Sequence, residues 1–77
     1  MGGKCVEIYQ LRQFAAVAKT ENMTRAAQSL SMAQPAVSKT IRNLESELGA
    51  ELFERTGKGL RRTERGDILL RYARAIL

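Results

Sequence analysis

The sequence has no histidine and no tryptophan, one cysteine, one proline, and 8 acidic residues against 13 basic ones. Each scarcity excludes something. Without histidine the usual base for nucleophilic catalysis is missing, and a lone cysteine permits neither an internal disulfide nor a zinc cluster. No enzyme, cofactor or metal site is therefore expected. Aromatic residues make up only 5%, so the core has to be built from Leu, Ile, Val and Ala, as in a compact helical bundle. No apolar run approaches a signal h-region or a membrane span, and the chain reads as cytosolic and soluble. Residues 1–5, which hold Cys5 and the aperiodic "MGGK", read as a frayed terminus, disordered or derived from a tag.

What is present is basic. At 77 residues there is room for one small domain, and its net charge is +5. So positive a surface on so small a body favours polyanions, nucleic acid first and an anionic membrane second. A merely solubilising surface explains the same charge unless the basic residues converge.

The hydrophobic rhythm divides residues 6–63 into a helical core and a hairpin. Ile8, Leu11, Phe14, Ala15 and Ala18 mark a first helix from about Glu7 to Thr20. Asn22 caps a short second helix with Ala26, Ala27 and Leu30 on its inner side, the alanines leaving room for a close helix crossing. In "AQPAVSKTIRNLESEL" the apolar residues Val37, Ile41, Leu44 and Leu48 share one face. Pro35 is tolerated only in a first turn, and Gly49 stops the helix. A small-faced helix, a tight turn and an amphipathic helix over about 22–48 make a helix-turn-helix. In "LFERTGKGLRRT", Leu52–Arg55 and Leu60–Arg62 read as short strands joined at "TGKG", with Lys58 at the tip and Gly57 and Gly59 supplying positive φ angles. A lone hairpin is unstable in water, so Leu52, Phe53 and Leu60 are expected to anchor this wing, about 52–62, on the helices. Thr63 caps a last helix over 64–77, with Glu64 and Asp67 at its positive end. Its stripe of Ile68, Leu69, Tyr72, Ile76 and Leu77 is still running at the last residue, as expected of a piece of a longer protein or of a surface awaiting a partner.

The chemistry lies on the other face of the third helix, where Gln34, Pro35, Ser38, Lys39 and Arg42 project together without an acid among them. The tip of a helix entering the major groove of DNA needs small or hydrogen-bonding side chains and no carboxylates. Gln34 can pair with adenine and Lys39 with guanine, Ser38 can serve either, Pro35 offers an apolar edge to a thymine methyl, and Arg42 is placed for a phosphate. Glu45 and Glu47 come only where such a helix would leave the groove. A solvated helix face would look similar. Two features favour DNA. Thr24 and Arg25 open the second helix, where free N–H groups suit a phosphate. Arg55, Lys58, Arg61 and Arg62 crowd the hairpin, with Arg65 just beyond. A solubilising loop would explain that charge but not the glycine-set tip. "GKG" lacks the spacing and context of a nucleotide-binding loop. The stripe of Ile68, Leu69, Tyr72 and Ile76 reads as a dimer interface, with packing onto its own core as the alternative. A module that binds another protein through the third helix is the competing function, and salt dependence separates the two.

The stretch "FAAVAKTENMTRAAQSLSMAQPAVSKTIRNLESELGAELFERTGKG", with "TRAA", "QPAVSK", the spaced "LE" and "ELG", and "LFER", resembles the N-terminal domain of LysR-type bacterial transcriptional regulators. The resemblance implies a mainly α winged helix-turn-helix: a three-helix core, a two-stranded wing and a C-terminal linker helix. It also implies sequence-specific binding to double-stranded DNA. Residues matching Gln34, Pro35, Ser38 and Lys39 would lie in the major groove, those matching Arg55 and Lys58 in the wing, and the helix after the wing would form a homodimer. A complete member would continue into an effector domain, take a small-molecule effector there and form a higher homo-oligomer. Three positions depart from the pattern. Ala33 stands where a capping Ser or Thr is common, Arg62 where the second wing strand usually carries an apolar residue, and Arg65, a candidate phosphate contact, where a small residue is usual.

Overall fold

The computed structural model describes residues 6–77, so the expectation for residues 1–5 lies outside the described residues. Four helices and one hairpin follow in chain order: α1 (Ile8–Thr20), α2 (Met23–Leu30), α3 (Gln34–Leu48), β1 (Phe53–Thr56), β2 (Gly59–Arg62) and α4 (Glu64–Ile76). The winged helix-turn-helix expected from the sequence is the fold observed.

The three core helices end alike. Glu21, Ser31 and Gly49 adopt left-handed φ angles of 51°, 57° and 65°, and each backbone N–H turns back onto a carbonyl of the helix it ends. Only Gly49 is a glycine, so only that stop is visible as one in the sequence. At the other ends, Asn22 Oδ1 accepts the Arg25 N–H at 2.9 Å and Thr63 Oγ1 accepts the Gly66 N–H at 3.1 Å. Ala33 caps α3 without a side chain. Its carbonyl accepts the N–H groups of Ala36 and Val37, and Pro35 has none to satisfy.

Phe14, Val17, Ala18, Ala26, Val37 and Leu44 are fully or almost fully buried and bring α1, α2 and α3 together. Leu52 and Phe53 close the core from the root of the hairpin, with the Phe14 and Phe53 rings 5.5 Å apart, and Leu70 and Ala73 seat α4. Burying each large apolar side chain contributes about 1.5–3 kcal/mol, so these residues carry most of the stability.

Several expectations need correction. Ile8 is 48% and Leu48 38% exposed, because both stand at helix ends that overrun the core. Val17 and two amides, Gln10 and Gln13, are buried although the sequence pattern does not single them out. Gln10 is accommodated because its Oε1 accepts the Glu7 N–H at 2.9 Å, which completes the start of α1. Leu52 precedes β1 instead of opening it, while Leu60 is only partly buried. Of the two hairpin glycines, only Gly59 has a positive φ, 118°. Gly57 and Lys58 form a two-residue loop held by the Thr56 hydroxyl, which accepts the Lys58 N–H and donates to the Gly59 carbonyl.

Candidate nucleic-acid interface

Antiparallel pairing places Phe53 opposite Arg62, Glu54 opposite Arg61, Arg55 opposite Leu60 and Thr56 opposite Gly59. Side chains alternate across the pleat, so Phe53, Arg55, Leu60 and Arg62 share one face, and Glu54 and Arg61 share the other. Between the hairpin on one side and the start of α2 and α3 on the other runs a shallow trough in two parts. One, of about 250 Å³, is lined by residues that include Asn22, Thr24, Gln34, Arg55 and Lys58. The other, of about 210 Å³, is lined by residues that include Ser38, Ile41, Arg42, Arg55 and Leu60. Arg55 borders both.

Six of the expected contact residues thus meet around one feature: Thr24, Gln34, Ser38, Arg42, Arg55 and Lys58. Pro35 and Lys39 are exposed on the same early turns of α3, and Arg25 is exposed on α2. Arg42 Nη1 donates to Ser38 Oγ at 3.2 Å, so one turn of α3 presents a hydroxyl and a guanidinium as a joined pair. The Arg25 N–H is already taken by Asn22, which leaves its side chain as the group available to an anion. Arg61 faces away from the trough, opposite Glu54. Arg65 borders a separate apolar groove with Leu48, Ala50, Leu52, Ile68, Leu69 and Tyr72.

Arg62 is placed differently from the rest. Its Nε and Nη1 donate to Asp67 Oδ1 and to the Ala18 carbonyl, each at 2.7 Å, and its backbone N–H donates to Glu21 Oε2 at 3.0 Å. This arginine is drawn into the root of the wing.

Two acids also hold the hairpin, a role their position in the sequence did not reveal. Glu45 Oε2 accepts the N–H groups of Leu52 at 2.7 Å and Phe53 at 3.3 Å, and so fixes the strand entry to α3. Glu21, left-handed at the end of α1, holds the strand exit. Thr63 completes the frame: its N–H donates to the Leu52 carbonyl at 3.0 Å and its hydroxyl to the Glu51 carbonyl at 2.6 Å. Among the described residues no three His, Cys, Asp or Glu side chains are grouped to hold a metal, and no helix is long and apolar enough to cross a membrane.

On α4 the buried residues are Gly66, Leu70 and Ala73, while Ile68, Tyr72 and Ile76 are 42%, 64% and 55% exposed and Leu69 is partly buried. Ile68, Tyr72 and Ile76 therefore form an outer stripe that the described core does not cover.

A helix-turn-helix with a basic hairpin beside its second helix defines the winged helix-turn-helix class. Residues 8–67 match the family described as "Bacterial regulatory helix-turn-helix protein, lysR family", and the chain belongs to that family. Among relatives, it is 51% identical over 71 residues to the RuBisCO operon transcriptional regulator of Allochromatium vinosum, a match covering 92% of this chain and 24% of the relative. It is 43% identical over 72 residues to the HTH-type transcriptional regulator PcaQ of Agrobacterium fabrum, covering 94% of this chain and 23% of the relative. The chain thus spans about a quarter of the length of these relatives. Two DNA-bound crystal structures resemble it. The BenM DBD/catB site 1 DNA complex gives a TM-score of 0.88 at 39% identity, over 92% of this chain and 80% of that one. The CbnR DBD–DNA complex gives 0.86 at 39% identity, over 92% and 82%.

Proposed function

We propose that this chain is the DNA-binding domain of a bacterial transcriptional regulator, reading double-stranded DNA with the first turns of α3 and gripping its backbone with the wing. The observation that carries the reading is the trough: the acid-free start of α3 and the wing's Arg55 and Lys58 converge on it, with Arg55 common to both halves. Gln34, Pro35, Ser38 and Lys39 take the base edges. Thr24, Arg25, Arg42, Arg55 and Lys58 take phosphates, with Arg61 at the wing's outer edge. The two related domains solved on DNA support the assignment.

The domain works as a cytoplasmic homodimer and is not an enzyme. One helix-turn-helix reads too few base pairs for useful specificity, and two-fold pairing places reading helices on half-sites about one helical turn, or a multiple of it, apart. The outer stripe of α4, formed by Ile68, Tyr72 and Ile76, supplies the pairing surface, with the partly buried Leu69 at its edge. In the whole regulator a further domain takes the small-molecule effector and extends the assembly beyond the dimer.

Selection of bound duplexes from a random pool tests the reading. A recurring sequence with two related half-sites is expected, bound with an affinity that falls steeply with salt through counterion release. A pool with no enriched sequence refutes it, and salt-insensitive binding to a protein partner through α3 would put the competing module in its place.

A further inference from the structure

We infer that Arg62 is a positioning residue of the wing, a two-armed clamp that sets the angle of the hairpin against the reading helix. The inference rests on the DNA-binding reading above, and it removes Arg62 from the residues that touch DNA.

Arg62 lies between the ends of two helices. The last carbonyls of α1 have no partner within the helix, and the negative end of the helix dipole lies there. Arg62 Nη1 donates to one of these carbonyls, that of Ala18, at 2.7 Å. Asp67 belongs to the first turns of α4, where its charge is favoured, and Arg62 Nε reaches its Oδ1 at 2.7 Å. One planar guanidinium thus bridges the end of α1 to the start of α4, a geometry that lysine, with one rotating ammonium, cannot reproduce. The Arg62 N–H, held by Glu21, grips α1 a second time. Arg62 is the last residue of β2, and its strand partner is Phe53 at the start of β1. Fixing it therefore fixes the root from which Arg55 and Lys58 are carried to the trough. The Arg62 and Asp67 side chains are 33% and 52% exposed, so solvent screens the pair and its contribution lies more in orientation than in global stability.

The test compares the wild-type chain with Arg62→Lys, Arg62→Gln and Asp67→Ala by anisotropy titration of a labelled duplex over a range of salt, with hydroxyl-radical footprints. Circular dichroism melts set the assay temperature below every midpoint. A clamp predicts that Lys and Gln at position 62 weaken binding alike, by about tenfold, while the salt slope changes by well under one unit and the wing's part of the footprint fades first. Asp67→Ala removes a negative charge yet should also weaken binding. The proposal is overturned if Arg62→Lys binds as the wild type while Arg62→Gln loses about 0.9 of slope, the mark of a direct phosphate contact, or if Asp67→Ala binds more tightly. It is equally overturned if the variants bind as the wild type. Loss of the DNA-binding reading itself would appear earlier, as a wild-type chain without salt-dependent binding.

Discussion

Replacing Gly66 by alanine sets helix propensity against packing. Gly66 is buried in the first turn of α4, and a Cβ there would overlap the Leu52 carbonyl oxygen and lie 3.2 Å from its carbon. Backbone cannot swing aside as a flexible side chain can. The Leu52 carbonyl also accepts the Thr63 N–H at 3.0 Å, and Gly66 donates to Thr63 Oγ1 at 3.1 Å, so moving α4 outward strains both bonds. Propensity favours alanine by about 1 kcal/mol. Overpacking costs about 1–3 kcal/mol and two weakened hydrogen bonds about 1 kcal/mol each. The balance is a loss of about 2–4 kcal/mol, which in a domain of this size lowers the melting temperature by about 10–30 °C. Thermal unfolding followed by circular dichroism measures it. If Gly66→Ala melts at or above the wild type, the close approach of α4 to the root of the wing is not what limits this position.

Other outcomes follow from the trough and the stripe. Gln34→Ala or Ser38→Ala should cost about 1–3 kcal/mol on the preferred duplex and relax sequence preference, in competition titrations against altered sites. An equal loss on every duplex would show that neither reads bases. Lys58→Ala or Arg55→Ala should weaken specific and non-specific binding alike and lower the salt slope by about 0.9, so that a fourfold rise in salt costs the variant about 3.5-fold less than the wild type. An unchanged slope would mean that the hairpin stays off the backbone. Tyr72 and Ile76 are exposed, so replacing both with Asp should leave helix content nearly intact while abolishing cooperative binding to a two-half-site duplex, checked by sedimentation and titration. Retained cooperativity would move the dimer contact off α4.

Much of this arrangement is legible along the chain because local signals agree with the fold. The Asn22 and Thr63 caps, the proline in the first turn of α3 and the Gly49 stop each act through neighbours a few residues away, and the alanines of α2 are marked by their small size. Glu21 and Ser31 end helices in a conformation that non-glycine residues adopt only occasionally, so no residue type marks the stop, although the apolar rhythm places the end of α1 at Thr20 as observed. What sequence reading missed depends on distant partners. Glu45 sits on α3 as one more late-turn acid until the fold brings the N–H groups of Leu52 and Phe53 to its carboxylate. Gly66 looks like a weak point in a helix and is instead the place where α4 passes against the Leu52 carbonyl.

The basic residues show why composition misleads about contacts. Arg55, Lys58, Arg61, Arg62 and Arg65 crowd together in sequence and read as one patch. The hairpin register separates them, since adjacent strand residues point to opposite faces. Arg55 and Lys58 border the trough, Arg61 faces away opposite Glu54, and Arg62, on the same face as Phe53, turns into the frame. Arg65 leaves the hairpin and borders the apolar groove beside α4. A charge tied to the protein's own carbonyl and carboxylate releases fewer counterions from DNA than one set against a phosphate. Within the hairpin the salt slope should therefore drop by about 0.9 for Arg55→Ala or Lys58→Ala and by well under one unit for Arg62→Gln, and a full drop at Arg62 would place its guanidinium against a phosphate instead of in the frame.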